Sequence, residues 1–408
     1  MNPVFLISLF LCCAVILTGC TKLNNEAKLS PSVVQIIDVG FAQKCHPAEF
    51  SVSWHPSGQT LIFSDATGEE AGLCIAQAPD FVPVKVMEPV TQAVWTPDGY
   101  HIAALSTSHL GEFTVSVLDL QGNLLKTVLI KEPSWIAING WRGNHRLLLN
   151  SHRGSEVGIL LEVDLEKQDV VHLLSPEDGQ MADFGGRVFF PSPDQRRIAV
   201  QGWRDAITVV DTNGTVSELA MRPGGWSSQQ FWAWTPEEGR FLYSQWELNR
   251  DPQHSTPALY MWDQQTGKAK LTPRSIWYVN PSPRGNYVSG IFLDQLAGWN
   301  SLSIAVMDAT TYELRSRTRL PKSIRLTDFL EDIRTGSWQI LWLPGEDRFV
   351  YWDTDGTVWL QDAVMGRRAV LLDRVIDIRE MALSPDGSYL ALRTEEKMYI
   401  LDVTKVEV

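Results

Sequence analysis

The chain repeats one short pattern, a proline-containing turn followed by a β-rich run. In "SPDGSYLAL" from Ser384, proline fixes φ at the second turn position and Asp-Gly favours the rest of the turn. The residues Tyr389 to Leu392 are aromatic and aliphatic, as strands prefer. Eight copies align, and they begin at Trp54, Trp95, Trp141, Pro191, Trp234, Pro281, Trp342 and Leu383. Their starts are 41 to 61 residues apart, and a period in the forties is typical of the four-stranded blades of a β-propeller.

A second signal recurs in phase with these turns. A short β-rich run that ends in aspartate follows every copy except the first, which reads "CIAQA" at Cys74. The aspartates are Asp119, Asp164, Asp211, Asp263, Asp308, Asp362 and Asp402. Most are followed by turn residues, so each carboxylate is predicted to cap the turn that it begins. Two phased signals indicate a repeat array rather than one isolated hairpin.

The repeats resemble the TolB-type, WD-repeat-like β-propeller family, whose blades carry the "SPDG" turn between their first and second strands. The resemblance covers residues 32–408 and implies an all-β propeller of four-stranded blades, eight in number, with seven as the alternative. Copies three and seven depart from the motif. The 61-residue step leaves room for an insertion around Pro321 to Ser337. Repetition also explains how so long a chain can fold without a linker, because each blade packs on its neighbours.

The end of the array predicts how the ring closes. Only three strands fit after the last copy begins, near Met381, over Tyr389 to Leu392 and over Met398 to Leu401. The run "VVQIIDVG" from Val33 to Gly40 is available to complete the last blade as an N-terminal latch strand. The alternative is that this run is an unpaired edge strand.

The N-terminus carries a second resemblance. "FLISLFLCCAVILTGC" is a short apolar run that ends in small residues, as a secretory signal does. Its last four residues, Leu17 to Cys20, resemble the lipobox of bacterial lipoproteins. The resemblance implies a signal peptide over 1–19, a lipidated Cys20 and a tether over 20–31 before the propeller at 32–408. Since Thr21 follows the cysteine, it implies a periplasm-facing outer-membrane protein. The alternative is a plain transmembrane anchor.

Two cysteines remain for the propeller, because Cys12 and Cys13 belong to the signal peptide and Cys20 is assigned to the lipid. Cys45 and Cys74 form an even pair in an oxidising compartment, so a disulfide between them is one prediction. The alternative is that both stay as buried thiols.

The composition and the motifs exclude several function classes. The net charge is −13, and residues 1–20 contain no charged side chain, so nucleic acid is not an expected partner. The sequence has no serine elbow, HExxH, CxxC or Walker loop, and its histidines are scattered. "DTDG" at Asp353 suggests a β-turn rather than a calcium loop, because the distal acidic positions are missing. No catalytic residue, metal site or cofactor is therefore predicted.

The loops point to a binding surface. In a propeller, the turns between first and second strands and between third and fourth strands share one face, and here they are short. The long segments lie on the other face and carry aromatic residues. The candidate partner-binding residues are Trp226, Trp299, Trp203, Trp246 and Phe184. Other tryptophans are expected to fill wedges between blades, namely Trp54, Trp95, Trp141, Trp234 and Trp342.

Two functions follow from these patterns. The first is a membrane-anchored, non-catalytic propeller that binds or scaffolds a protein, peptide or glycan. The alternative is a propeller hydrolase or lyase with its site in the central funnel, which would need acidic or histidine residues on the inner strands. Those strands are mostly apolar, and Glu49 and Glu380 are their only acids, which favours the binding module.

Overall fold

The structure is a computed structural model. It describes residues 32–39, 52–65, 72–107, 112–131, 135–153, 157–174, 188–201, 207–211, 216–217, 229–236, 239–246, 257–263, 266–272, 276–293, 302–320 and 338–408. Among these residues, no helix is long and apolar enough to cross a bilayer. The only helix in these ranges is a 3-10 turn at Val403–Lys405.

Thirty-two strands form eight four-stranded antiparallel sheets, which are the blades of a propeller ring. The N-terminal strand is β1, Val33–Asp38. Blades 1 to 4 consist of Val52–Trp54, Thr60–Asp65, Gly72–Gln77 and Val84–Met87 (β2–β5); Gln92–Trp95, Ile102–Thr107, Phe113–Leu118 and Leu124–Ile130 (β6–β9); Trp135–Arg142, Arg146–Arg153, Val157–Asp164 and Asp169–Leu174 (β10–β13); and Val188–Pro191, Arg197–Gln201, Ile207–Asp211 and Val216–Ser217 (β14–β17). Blades 5 to 8 consist of Gln229–Trp234, Arg240–Trp246, Pro257–Asp263 and Gly267–Thr272 (β18–β21); Ile276–Pro281, Tyr287–Leu293, Leu302–Asp308 and Leu314–Arg319 (β22–β25); Leu341–Trp342, Arg348–Trp352, Val358–Asp362 and Arg368–Leu372 (β26–β29); and Glu380–Leu383, Tyr389–Arg393 and Lys397–Asp402 (β30–β32), completed by β1.

The proline turns join the first and second strands, as predicted. In blade 2, the Asp98 carboxylate accepts hydrogen bonds from the Thr96 hydroxyl (2.7 Å) and the Tyr100 N–H (3.1 Å). Gly99 supplies the positive φ of 76°. Burial alone would raise the pKa of Asp98, but these hydrogen bonds outweigh it and lower the pKa. The corresponding hydroxyl-to-carboxylate bond in blade 8 runs from Ser384 to Asp386 (2.6 Å).

The aspartates that end the third strands cap the next turn, which confirms the second sequence signal. Each carboxylate accepts from backbone N–H groups two to four residues further along the chain. This contact is present at Asp119, Asp164, Asp263, Asp308, Asp362 and Asp402. In each of these six turns, the carboxylate therefore satisfies at least one backbone donor of the turn.

The apolar core lies between the blades, at the contacts that we call seams. Eight clusters of described residues fill the eight seams, one cluster to each. The cluster at the 8/1 seam joins Ile37, Met398 and Ile400 of blade 8 to Trp54 and Phe63 of blade 1. The first and last blades therefore pack on each other like any other pair, and the ring is closed. The weak third and seventh copies also form complete blades.

The N-terminal strand completes blade 8. β1 pairs antiparallel with β32, so that Val33 lies opposite Leu401 and Asp38 lies opposite Lys397. The alternative of an unpaired edge strand is therefore wrong. How much this pairing stabilises the closed ring stays a prediction.

Candidate functional site

The ring has two unlike faces. The proline turns and the aspartate turns lie on one of them, which we call the turn face. The segments between blades and between second and third strands join strand ends on the opposite side, which we call the loop face. The longest of these are 39–51, 175–187, 218–228, 247–256, 294–301 and 320–340. The strand order therefore agrees with the loop asymmetry predicted from the sequence.

The predicted partner-binding residues fall on segments that connect strands at the loop face. Phe184, Trp203, Trp226 and Trp299 lie outside the described residues. Trp246 is the last residue of β19, and its backbone lies at the loop-face end of that strand. Their role in binding stays a prediction, as does the role of Cys20.

The predicted wedge tryptophans lie at the seams. Three of them donate their indole N–H to a carbonyl on the first strand of the preceding blade. The pairs are Trp54 with Ala382 (2.9 Å), Trp234 with Phe190 (2.8 Å) and Trp342 with Asn280 (3.1 Å). Trp95 is buried, and Trp141 packs against the 2/3 cluster. These five tryptophans therefore pack between blades, which distinguishes them from the candidate partner-binding residues on the loop face.

Polar side chains bridge the seams around the funnel mouth on the loop face. The Gln92 amide oxygen at the start of β6 accepts from the Ile138 N–H of blade 3 (2.6 Å). The Gln201 amide oxygen at the end of β15 accepts from the Phe231 N–H of blade 5 (2.9 Å). The Gln201 amide nitrogen also donates to Gln230 (3.1 Å). These side-chain amides therefore join neighbouring blades near the loop-face ends of their strands.

Two acids were predicted on the inner strands. Glu49 lies outside the described residues, and Glu380 is the first residue of β30. Its Oε1 accepts from the Val52 N–H across the 8/1 seam (3.2 Å). Its Oε2 is enclosed and has no hydrogen-bond partner among the described residues. Arg393 lies opposite it in the strand ladder and is 2% exposed.

The protonation of Glu380 reflects this position. Burial raises its pKa to about 7, although the Val52 N–H and the charge of Arg393 act in the opposite direction. In blade 2, the apolar Leu105 takes the ladder position that Arg393 takes here. A buried carboxyl and guanidinium thus mark the seam where the chain closes on itself. Glu380 alone gives no pair of acids for hydrolysis.

The described residues also bear on the metal, calcium-loop and disulfide interpretations of the sequence. Within the described ranges, no group of three His, Cys, Asp or Glu side chains is arranged to hold a metal ion. Asp353 caps a turn, because its Oδ1 accepts from the N–H groups of Asp355 and Thr357 (both 3.1 Å). This is the β-turn interpretation of "DTDG". Cys74 carries a buried thiol, and burial raises its pKa to about 11. Cys45 lies outside the described residues, so a disulfide between the two stays a prediction.

Sequence reasoning did not identify two features of the ring. One is the role of Glu380 and Arg393 at the closing seam, because their proximity depends on strand pairing and not on a motif. The other is Trp359, whose indole N–H donates to the Asp353 Oδ2 (2.8 Å) beneath the Arg368 guanidinium, 4.0 Å from the ring centroid. The alternation of "VWLQD" predicts a strand there but not this stacking.

Comparisons with known proteins support the fold. No protein-family model and no curated protein sequence matches the chain. The chain is similar to the solved Dos1 propeller, at 14% identity over 92% of this chain and 97% of that one, with a TM-score of 0.56. It is also similar to the C-terminal WD40 domain of Sif2, at 12% identity over 91% and 97%, TM-score 0.56. Saccharomyces cerevisiae Sqt1 matches at 12% identity over 92% and 100%, TM-score 0.56. At these identities the likeness shows a WD40-type β-propeller fold and nothing further.

Proposed function

We propose that the chain is a membrane-anchored lipoprotein whose β-propeller is a non-catalytic binding or scaffold module. Its partner is a protein, a peptide or a glycan, its lipid is carried by Cys20, and its location is the periplasmic side of the outer membrane. Within the WD40-type fold, the "SPDG" turns support a TolB-type subclass. The fold itself is compatible with a binding module.

The observation that carries the binding role is the asymmetry of the ring. The turn face consists of short turns, several of which satisfy their N–H groups internally, as at Asp119 and Asp362. The loop face combines long segments with polar side chains that bridge the seams, such as Gln92 and Gln201. Rigid scaffolds that concentrate variable segments on one side commonly bind partners there.

The anchor is tested by Cys20→Ala in cells grown with labelled palmitate. The variant should lose the label and leave the membrane fraction, because the acylated thiol is gone. Normal incorporation of palmitate by the variant would refute lipidation at Cys20.

The binding face is tested by capture from envelope extracts, followed by mass spectrometry of the bound material. Trp226→Ala and Trp299→Ala should weaken capture by about 2 kcal/mol or more, as truncation of a binding hot spot does. Their melting temperatures should stay close to that of the unmodified protein, since an exposed residue contributes less than about 0.5 kcal/mol to folding.

Trp234→Ala is the matched control. Trp234 is a wedge residue that is 8% exposed, so its truncation should cost about 3–5 kcal/mol of folding free energy. If Trp226→Ala and Trp299→Ala unfold the protein as this control does, they are packing residues. If they alter neither stability nor capture, the partner does not use them.

A further inference from the structure

Within the described ranges, several exposed apolar side chains lie at the rim of the turn face. Of the 13 large hydrophobic residues that the structure describes as exposed, nine lie in turns of this face or at the adjoining strand ends. Six of them lie in or next to the turns between the third and fourth strands of blades 7, 1 and 2, are between 49% and 68% exposed, and form what we call the apolar arc. The apolar arc consists of Val364 and Met365, Val82 and Val84, and Leu124 and Leu125.

The apolar arc has two parts, which lie on either side of blade 8. Val364 and Met365 lie in the aspartate turn of blade 7, and blade 8 separates that turn from blade 1. Blades 1 and 2 touch at the same level, because a Cβ on Gly122 would lie 2.5 Å from the Val86 Cβ. The tips of the arc therefore flank blade 8 on both sides.

The chain enters the propeller in the middle of this arc. β1 begins at Val33, opposite Leu401, next to the aspartate turn that starts at Asp402, so it begins at the turn face. Ser32 is buried at that point, where its hydroxyl donates to the Leu371 carbonyl (2.7 Å) and its own carbonyl accepts from the Asp402 N–H (2.7 Å). Whatever precedes residue 32 is thus attached to the turn face at blade 8.

We propose that the apolar arc lies against the lipid surface and holds the ring with its loop face turned away from the membrane. This inference rests on the lipid anchor of the proposed function. Cys20 is 12 residues from Ser32, and a fully extended chain of that length spans about 40 Å at most. The anchor therefore keeps the start of β1, with the arc on either side of it, within about 40 Å of the bilayer.

The local chemistry of the arc suits a lipid interface. The Asp362 carboxylate accepts from the N–H groups of Val364 and Met365, so the backbone at the tip of blade 7 needs no water as partner for these donors. Asp119 does the same for the turn that leads into Leu124. Backbone donors without a partner are what makes irregular turns costly near hydrocarbon. The net charge of −13 selects zwitterionic over anionic lipid.

The test uses the full-length protein reconstituted in phosphatidylcholine vesicles. Leu124→Cys and Met365→Cys place an environment-sensitive fluorophore on the arc, and Ile376→Cys places it in the segment between blades 7 and 8 at the loop face. Ile376 is the matched control because it is 65% exposed. All three are made in a Cys45→Ser parent, and the buried thiol of Cys74 should not react at neutral pH. Quenching is read with phosphatidylcholine that carries a nitroxide near the headgroup.

The expected result is that the vesicles float with the protein and that fluorescence is lost at positions 124 and 365 but not at 376. If Leu124→Cys fails to fold, Leu125→Cys replaces it. Flotation without quenching at the arc would overturn the inference and leave the lipid anchor standing. Quenching at 376 in place of the arc would show that the ring is inverted, which also overturns it. If the protein does not float with the vesicles, the proposed lipid anchor is refuted, and the inference that rests on it is refuted as well. Shielding of the arc in envelope fractions but not in pure lipid would identify a protein occupant instead.

Discussion

The closing seam makes a pH-dependent prediction through Glu380. Its carboxyl is buried between blades 8 and 1, and its pKa is raised from the ordinary 4.5 to about 7. The folded protein therefore binds this proton more tightly than the unfolded chain does. The contribution of Glu380 to the free energy of unfolding is complete below about pH 4.5 and declines as the pH rises toward 7. Above that pH the loss is constant.

The magnitude follows from the shift. One pKa unit corresponds to about 1.4 kcal/mol, so the decline between pH 4.5 and pH 7 is about 3 kcal/mol. Glu380→Gln removes the titration but keeps an oxygen that can accept from the Val52 N–H. The variant should match the unmodified protein within about 0.5 kcal/mol at pH 4.5 and exceed its stability by up to about 3 kcal/mol at pH 8.

The assay is urea unfolding of both proteins from pH 4.5 to pH 8, followed by tryptophan fluorescence. Glu396→Gln is the control, because it removes an exposed carboxylate from the same blade and should change the free energy of unfolding by less than about 0.5 kcal/mol. Parallel stability curves would refute the buried-proton explanation. A variant that is less stable at pH 8 would show that Arg393 requires the charge of Glu380, as a buried ion pair would.

Three further predictions concern packing and chemistry. Ile37→Ala should lower the free energy of unfolding by about 2–4 kcal/mol, because the side chain is 6% exposed at the 8/1 seam; an unchanged urea midpoint would show that closure does not depend on β1. Gly356→Ala should cost much more than Gly143→Ala in thermal unfolding, because its Cβ would lie 1.9 Å from the Val375 carbonyl oxygen whereas the Cβ at Gly143 meets nothing within 4 Å; equal costs would contradict the contact. The Cys74 thiol should resist iodoacetamide at pH 8 in the folded protein, because burial raises its pKa to about 11; labelling after unfolding without reductant would identify a thiol, and its absence would indicate the predicted disulfide.

The sequence was sufficient for the repeat architecture because the determining interactions are local. A hydroxyl-to-aspartate bond such as that between Ser384 and Asp386 spans two residues, and it is also present in the turns of blades 2 and 4. The closure was also predictable, since a last blade with three strands needs a fourth and Val33 to Gly40 offered one. The wedge role of Trp54 followed from its fixed place before the turn.

The features of the funnel mouth were not predictable in the same way. Glu380 and Val52 are 328 residues apart in the chain, and only the closed ring brings them together. Nothing in the local sequence distinguishes the buried Arg393 from an arginine that faces water. The candidate site on the loop face depends on segments whose conformation no repeat determines, so sequence could indicate a face and aromatic residues but not a geometry.

The chain enters the ring at the turn face, and β1 then runs across blade 8 to the loop face. Because β1 is the outer strand of blade 8 and runs away from the turn face, any anchor that precedes Ser32 must leave from the side opposite the long segments. A propeller attached in this way carries its attachment point on the face opposite the long segments, which favours an orientation with the loop face outward. The same strand supplies Ile37 to the 8/1 seam, so pulling on the anchor loads the contact that closes the ring. The proposed attachment point and the 8/1 seam are thus joined by one strand of six residues, Val33–Asp38.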